Sequence, residues 1–97
     1  MEKDRKTQRL CISQWAPEDR PREKAMARGM ESLTKAELLA ILIGSGSPEE
    51  SAVALMQRLL ADCHGRLKEL GRMSLEDLCA YHGIGPAKAI TLLAACR

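Results

Sequence analysis

The sequence predicts an all-α domain of five to six short helices, arranged as a double helix-hairpin-helix (SAM-like) fold. Three observations support this prediction. Apolar residues recur at helical spacing along most of the chain, Ser or Thr residues stand where several of the helices would begin, and a Gly-x-Gly turn occurs twice. No stretch shows the alternation of polar and apolar residues that a half-buried strand requires.

One compact domain accounts for the chain of 97 residues, because a second, catalytic domain does not fit in this length. We expect residues 1–16 to form a partly flexible amino-terminal segment and residues 17–97 to form the domain. Aromatic residues make up only 2% of the chain, so the core must be built from aliphatic, Met and Ala side chains. Without a signal peptide or an apolar run of membrane-spanning length, the sequence predicts a cytoplasmic monomer that does not contact membranes.

The cysteine pattern favours free thiols over disulfides or a metal site. The four cysteines are widely spaced and form no Cys-x-x-Cys motif: Cys11, Cys63, Cys79 and Cys96. The nearest zinc-like spacing is Cys79-x-x-His82, with Cys63-His64 upstream, and zinc does accept mixed Cys and His ligands. Cys79 nevertheless falls in the apolar register of a predicted helix, where an unpaired Cys acts as a small hydrophobe. We therefore predict no metal and no cofactor, with zinc as the less favoured alternative.

Local signals predict two helices in the first half of the chain. Pro21 lacks an N–H group that a first helical turn does not need, so we expect it to open a helix that runs to about Arg28 and stops at Gly29. Thr34 and Glu37 form a capping box, in which each side chain satisfies a backbone N–H group that the helix start leaves unpaired. The helix that they start is apolar on most sides, which predicts a central position.

A Gly-x-Gly turn, Gly44-Ser45-Gly46, is expected to end this central helix. The next four residues, Ser47-Pro48-Glu49-Glu50, have the pattern of an N-cap, a first helical proline and an acidic first turn. A third helix is therefore predicted to begin there and to end near Gly65.

The same organisation recurs in the second half of the chain. A short connector helix over residues 66–70 is expected to bury Leu67 and Leu70. Ser74-Leu75-Glu76-Asp77 repeats the capped helix start, and a second turn, Gly83-Ile84-Gly85, leads into a final helix. Two hairpins joined by a connector helix give the double hairpin plan.

The second turn has the residue pattern of a helix-hairpin-helix turn. Gly83 and Gly85 are expected to turn the chain with positive φ and to leave no Cβ between the backbone and a ligand. Ile84 is expected to point inward between the two helices. Ala89 is small enough to let the final helix pack closely against its neighbour.

This second turn also has the electrostatics of an anion site. It aims free N–H groups and the positive end of the helix dipole outward, an arrangement that suits a phosphate. Lys88 adds a positive charge, and residues 82–97 contain no acidic side chain that would oppose the anion. We assign phosphate binding to the residues of the turn and the helix start: Gly83, Ile84, Gly85, Ala87 and Lys88.

The first turn departs from this pattern where a ligand would bind. Glu50 takes the position that Ala89 has in the second turn, and Glu49 stands beside it at the expected helix start, so two carboxylates compete with a phosphate. We expect the first turn to be mainly structural. A weaker second contact is assigned to nearby small and basic residues: Gly44, Ser45, Gly46, Ser47, Arg20 and Arg22. The alternatives are tight helix connections that bind nothing and a solvated basic helix surface.

Contacts of this kind hold a protein on a nucleic-acid backbone without reading its base sequence, and they weaken steeply with salt. The formal net charge of +2 is too low to argue for nucleic acid by itself. We find no Ser, His and Asp set, no paired acids and no phosphate loop with a lysine, and we predict no enzymatic activity for this chain. Two functions stay open: DNA-backbone binding, and an interaction or regulatory domain that contacts a protein.

Three stretches resemble one protein family: Trp15–Lys24 (WAPEDRPREK), Leu33–Gly46 (LTKAELLAILIGSG) and Gly83–Ala89 (GIGPAKA). They resemble the amino-terminal domain of the RadC family, also called UPF0758, and the likeness covers nearly the whole chain from Ser13. The resemblance implies association with DNA and a link to DNA repair. It also implies that full-length members carry a JAB/MPN-type metallo-hydrolase domain with a His-x-His and Asp zinc site. This chain lacks that domain, so the resemblance assigns no zinc or hydrolase activity to it and makes the catalytic domain a second candidate partner.

Overall fold

A computed structural model of the protein describes residues 20–96, which form six α-helices and one 3-10 turn. In chain order these are α1 (Pro21–Arg28), the 3-10 turn (Met30–Ser32), α2 (Lys35–Ile43), α3 (Ala52–Asp62), α4 (Leu67–Leu70), α5 (Leu75–Cys79) and α6 (Pro86–Ala95). The described residues contain no strand, only a single bridge between Ser47 and Glu50. The predicted all-α class is confirmed, whereas the expected amino-terminal segment of residues 1–16 and residues 17–19 of the expected domain lie outside the described residues.

Helices α2 and α3 form the centre of the fold. Helix α2 packs against α1, α3 and α6, and α5 packs against α6. Helix α3 is the most buried, with Leu55, Met56 and Leu59 fully inside. Helices α4, α5 and α6 each add one fully buried leucine: Leu70, Leu78 and Leu92. Each such leucine contributes about 1.5–3 kcal/mol of hydrophobic stabilisation relative to full exposure, and the core is as aliphatic as the composition predicts.

Two of the three capped helix starts predicted from the sequence are confirmed, those at Thr34 and Ser74. In the first capping box, Thr34 Oγ1 accepts from the N–H of Glu37 at 3.1 Å and Glu37 Oε1 accepts from the N–H of Thr34 at 2.9 Å. Ser74 and Asp77 form the same pair of bonds at the start of α5, at 3.0 and 3.3 Å. The start of α1 at Pro21 is confirmed as well. Local side-chain chemistry therefore determines three of the helix starts.

Helix α3 begins four residues later than expected, so the prediction of an N-cap at Ser47 is wrong. Ser47 and Glu50 exchange two backbone hydrogen bonds, of 2.9 and 3.2 Å, and close a turn with Pro48 inside it. Ser51 is the N-cap, and its buried hydroxyl accepts from the N–H of Ala54 at 3.1 Å. The physical reason is that Pro also suits the second position of a β-turn, while Ser51 directly precedes the apolar residues that must be buried. The first hairpin thus has a loop of residues 44–51 instead of a tight turn.

Two expectations about burial are also wrong. Leu67 is 38% exposed although it lies on the same side of the single-turn helix α4 as the fully buried Leu70, so the core covers only the carboxy-terminal end of this turn. Cys79 is exposed because it follows the buried Leu78 and is rotated about 100° from it around the helix.

Cys63, Cys79 and Cys96 carry free thiols. Between residues 20 and 96 no group of three or more His, Cys, Asp or Glu side chains is placed to hold a metal ion. In the same part of the chain no helix is long and apolar enough to cross a membrane.

An ion pair fastens α1 to α2. Lys24 Nζ donates to both carboxylate oxygens of Glu37, at 3.2 and 3.1 Å. Burial acts to raise the pKa of Glu37, but the hydrogen bond from the Thr34 backbone and the ammonium of Lys24 outweigh it and leave the pKa lowered. The same carboxylate therefore caps α2 and holds α1.

We expect Glu37 to make stability depend on pH in the acid range. Because the pKa of Glu37 is lower in the folded than in the unfolded chain, its stabilisation is present above the unfolded value of 4.5 and is lost as the pH falls through the folded value. Urea unfolding measured between about pH 7 and pH 3 is expected to show a smaller acid loss for Glu37→Gln than for the wild type. Glu76→Gln removes an exposed carboxylate of α5 and serves as the control. If both variants reduce the acid loss of stability equally, the assignment of this loss to Glu37 is contradicted.

Candidate nucleic-acid interface at the paired turns

The second turn has the expected inward isoleucine but only one glycine with positive φ. Gly83 has φ 101°, and Ile84 is buried. Gly85 has φ −95° and ψ −178°, extended backbone that any residue adopts, so the prediction of positive φ at Gly85 is wrong. A Cβ atom at Gly85 would meet nothing within 4 Å. This face of the turn is therefore open to the outside.

Helix α6 begins at this open face without a side-chain cap. Gly85 is its N-cap residue, and no side chain accepts from the first helical N–H groups. Pro86 and Ala87 are exposed. Ala89 is fully buried and its N–H donates to the Gly85 carbonyl at 2.9 Å, so this small residue packs α6 closely, as predicted. An uncapped helix start leaves backbone N–H groups and the positive end of the helix dipole facing outward.

The fold brings the two Gly-x-Gly turns into contact. A Cβ atom at Gly83 would lie 3.2 Å from Ser47 Cβ and 3.4 Å from the carbonyl carbon of Gly46. At Gly46 a Cβ atom would lie 2.2 Å from the backbone oxygen of Glu50. No side chain fits at Gly46 without a backbone shift, so its role in the first turn is steric, as expected for a mainly structural turn.

Lys88 joins the two turns. Its Nζ donates to the Ser45 carbonyl at 2.7 Å, to Ser45 Oγ at 3.0 Å and to the Gly83 carbonyl at 3.1 Å. The sequence predicts a phosphate contact for this ammonium but gives no sign of these partners, because Ser45 and Lys88 are 43 residues apart. The assigned residues of both turns are thus brought together through one lysine.

The acidic residues of the first loop lie elsewhere than expected. Glu50 is held by Arg58 of α3 through two hydrogen bonds, of 2.9 and 3.2 Å, and does not stand at a helix start. Glu49 Oε2 lies 3.3 Å from His82 Nε2, immediately before the second turn. The prediction that both carboxylates stand at a helix start is therefore wrong. The fold instead places Glu49 beside the second turn, which has no acidic residue of its own.

A polar network anchors the second turn to α3. Arg58 stacks over the Tyr81 ring, 5.2 Å from its centroid, and the Tyr81 hydroxyl donates to Asp62. Burial, followed by the neighbouring Asp62 carboxylate, raises the pKa of Tyr81 to about 12. Tyr81 also accepts a backbone hydrogen bond from the N–H of Ile84 at 3.0 Å. The residue that leads into the turn is therefore fixed to the most buried helix.

The basic residues assigned to the weaker contact lie beside the first turn. Arg20 and Arg22 line a cleft of about 260 Å³ together with Gly44, at the junction of α1 and α2. Glu23 lines the same cleft and adds an opposite charge. The structure thus brings three of the residues assigned to the weaker contact together in a cleft that carries both positive and negative charge.

The described residues define a class of protein: an all-helical domain in which two helical hairpins, joined by the short α4, meet at their turns. The model of the UPF0758 N-terminal domain family matches residues 12–90 of this chain. The chain belongs to the UPF0758 family, which confirms the resemblance drawn from the sequence.

Relatives of the chain are bacterial UPF0758 proteins. That of Flavobacterium johnsoniae is 54% identical over 86 residues, which are 89% of this chain and 37% of the relative. Those of Porphyromonas gingivalis and Syntrophomonas wolfei are 45% and 51% identical and are matched over 38% and 37% of their lengths, again by 89% of this chain. The chain therefore spans little more than a third of these curated relatives. No solved structure matches it significantly.

Replacing a glycine by serine is expected to have opposite effects on stability in the two turns. Gly46→Ser places a Cβ atom against the Glu50 backbone and is expected to lower the free energy of unfolding by about 1–3 kcal/mol, as overpacking does. Gly85→Ser meets open space at an ordinary φ and adds a preferred N-cap residue, so it is expected to raise that free energy by about a few tenths of a kcal/mol. Urea unfolding of both variants checks the prediction. Equal losses would contradict the difference in packing between the turns.

Proposed function

We propose that this domain binds the phosphate backbone of DNA without reading its base sequence, as the DNA contact of a RadC-like repair protein in the cytoplasm. The observation that carries the proposal is the uncapped, exposed start of α6. A Cβ atom placed at its N-cap residue, Gly85, would meet no other atom within 4 Å. Backbone N–H groups at such a helix start bind anionic oxygens. Phosphate contacts fix position on the duplex and carry no direct sequence information.

The charges around the site predict weak, salt-dependent binding. The net charge of the chain is only +2, and Glu49 lies beside His82 at the edge of the second turn. The attraction therefore comes mainly from oriented backbone N–H groups and the helix dipole. We expect dissociation constants of about 10⁻⁴–10⁻⁶ M at physiological salt, the range of non-specific DNA binding.

The proposed role of the domain is binding and not catalysis. We propose that it acts as a monomer and that, in the full-length protein, it brings the metallo-hydrolase domain implied by the family resemblance to DNA. The phosphate-binding set is the one predicted from the sequence: Gly83, Ile84, Gly85, Ala87 and Lys88. Ile84 contributes by holding the shape of the turn, because its side chain is buried and its backbone N–H donates to the Tyr81 carbonyl.

A variant that stabilises the helix while opposing phosphate gives the sharpest test. Ala87→Glu places a carboxylate in the exposed first turn of α6, where it favours the helix dipole by about 0.3–1 kcal/mol. The same charge repels phosphate, so we expect the affinity for labelled DNA to fall by about tenfold or more in fluorescence anisotropy. Duplex, single-stranded and branched DNA are each titrated at low and at moderate salt.

Ala95→Glu is the matched control, because it makes the same charge change in the last turn of the same helix. We expect it to change DNA affinity by less than about twofold, since the added charge lies far from the uncapped helix start. Gly85→Ser is a second probe, whose hydroxyl caps the N–H groups that phosphate would bind. No binding of wild-type chain to any of the three DNA forms at low salt would contradict the proposal, as would equal losses from Ala87→Glu and Ala95→Glu.

A second candidate function is interaction with a protein, and exposed apolar side chains favour it. Leu38 and Leu42 of α2 are 36% and 47% exposed, and Ile90 of α6 is 57% exposed. Helices α2 and α6 pack against each other. The candidate partner is the remaining part of the full-length protein, including the catalytic domain that the resemblance implies.

Titration of this chain with the remaining part of the Flavobacterium johnsoniae relative, followed by NMR, tests the second candidate. Chemical-shift changes are expected in α2 and α6 and are expected to be lost in Leu42→Lys, because burying a lysine in an apolar contact is costly. Leu75→Lys makes the same change at an exposed leucine of α5 and is expected to leave the shifts intact. Shifts that survive Leu42→Lys, or no shifts at all, would contradict this candidate.

A further inference from the structure

The ammonium group of Lys88 has no free donor in this structure. A lysine ammonium carries three N–H donors, and Lys88 Nζ has three acceptors within hydrogen-bond distance. Two acceptors belong to Ser45 of the first turn, and the third is the Gly83 carbonyl of the second turn. A direct bond from this ammonium to phosphate therefore requires the loss of at least one bond between or within the turns.

The bonds of Lys88 stand beside a close contact between the two turns. A Cβ atom at Gly83 would lie 3.4 Å from the carbonyl carbon of Gly46 and 3.2 Å from Ser47 Cβ. Lys88 thus holds the residue just before Gly46 while Gly83 packs against the residues that follow Ser45. The two contacts act on the same pair of turns, and the lysine lies in the first turn of α6, whose uncapped start is the proposed phosphate site.

We propose that Lys88 is a positioning residue for DNA binding: it fastens the first turn to the second through Ser45, so that the start of α6 is presented in a fixed orientation. The inference rests on the proposed function and differs from it in one respect. It assigns to Lys88 an action through Ser45 instead of a direct contact with phosphate. Ser45 then takes part in DNA binding because it supplies two of the three acceptors.

Salt dependence separates the two roles of Lys88. Each phosphate contact made by a lysine releases counterions and contributes about 0.9 to the slope of log affinity against log salt. Lys88→Met keeps most of the apolar stem and removes the ammonium. If Lys88 positions the turns, this variant loses affinity with the slope unchanged, whereas a lost phosphate contact lowers the slope by about 0.9.

The experiment compares wild type, Lys88→Met, Ser45→Ala and the double variant in DNA titrations at several salt concentrations. Lys68→Met removes an exposed lysine of α4 and is the matched control for the lost charge. Hydrogen exchange of the backbone N–H groups of residues 44–47 is measured on the same proteins without DNA. Helicity and unfolding midpoints confirm that each variant is folded under the conditions of the titration.

We expect Lys88→Met to weaken DNA binding about tenfold, the scale of losing charged hydrogen bonds, with the salt slope retained and exchange at residues 44–47 accelerated. Ser45→Ala keeps the carbonyl acceptor and is expected to weaken binding by about threefold in the wild-type background. In the Lys88→Met background the same substitution is expected to have no further effect, because the hydroxyl has lost its donor. Lys68→Met is expected to stay within about twofold of the wild type.

If Lys88→Met lowers the slope of log affinity against log salt by about one and leaves hydrogen exchange at residues 44–47 unchanged, the inference is overturned in favour of a direct phosphate contact. Unchanged affinity in Lys88→Met would overturn it while leaving the proposed function intact. Absence of wild-type binding would overturn the proposed function and, with it, the role of Lys88 in binding. Exchange data would then show whether the lysine holds the turns for stability alone.

Discussion

Gly83 has a φ of 101°, which favours glycine, and its backbone passes so close to Gly46 and Ser47 that an added Cβ atom would lie 3.2–3.4 Å from them; this contact sets how the two hairpins meet. The loop of residues 44–51 joins α2 to α3, and the second turn joins α5 to α6. Fixing one turn against the other therefore fixes two pairs of helices at the same end of the domain. Buried Leu70, Leu78 and Leu92 pack into the core from the three carboxy-terminal helices.

The second turn depends on this packing because its own helices are too short to hold it. Helices α5 and α6, which this turn joins, contain 5 and 10 residues, whereas an isolated helix shorter than about 12–15 residues is marginal in water. Their geometry comes from the core and from the contacts of Tyr81 with Arg58 and Asp62 on α3. The geometry of the proposed binding surface at the start of α6 is consequently a property of the whole domain and not of the motif alone.

Interactions between residues close together in the chain could be predicted from the sequence, whereas interactions between distant residues could not. The capping box of Thr34 and Glu37 involves neighbouring residues, so its pattern is visible in the chain and the structure contains it. The start of α3 is harder to predict, because Ser47 and Ser51 both satisfy the local rule and only burial of the following residues distinguishes them. The bond between Lys88 and Ser45 spans 43 residues and leaves no local signal.

The charges at the candidate site also differ between the local sequence and the folded structure. Residues 82–97 contain no acidic residue, yet Glu49 lies 3.3 Å from His82 in the folded chain. Conversely, the net charge of +2 omits the partial charges of oriented N–H groups, which a helix start concentrates into about half an elementary charge. The exposed contact between Glu49 and His82 contributes little stability, and the charge of the Glu49 carboxylate is screened by salt. For the proposed phosphate site, the balance between this exposed carboxylate and the fixed helix dipole therefore matters more than the net charge of the chain.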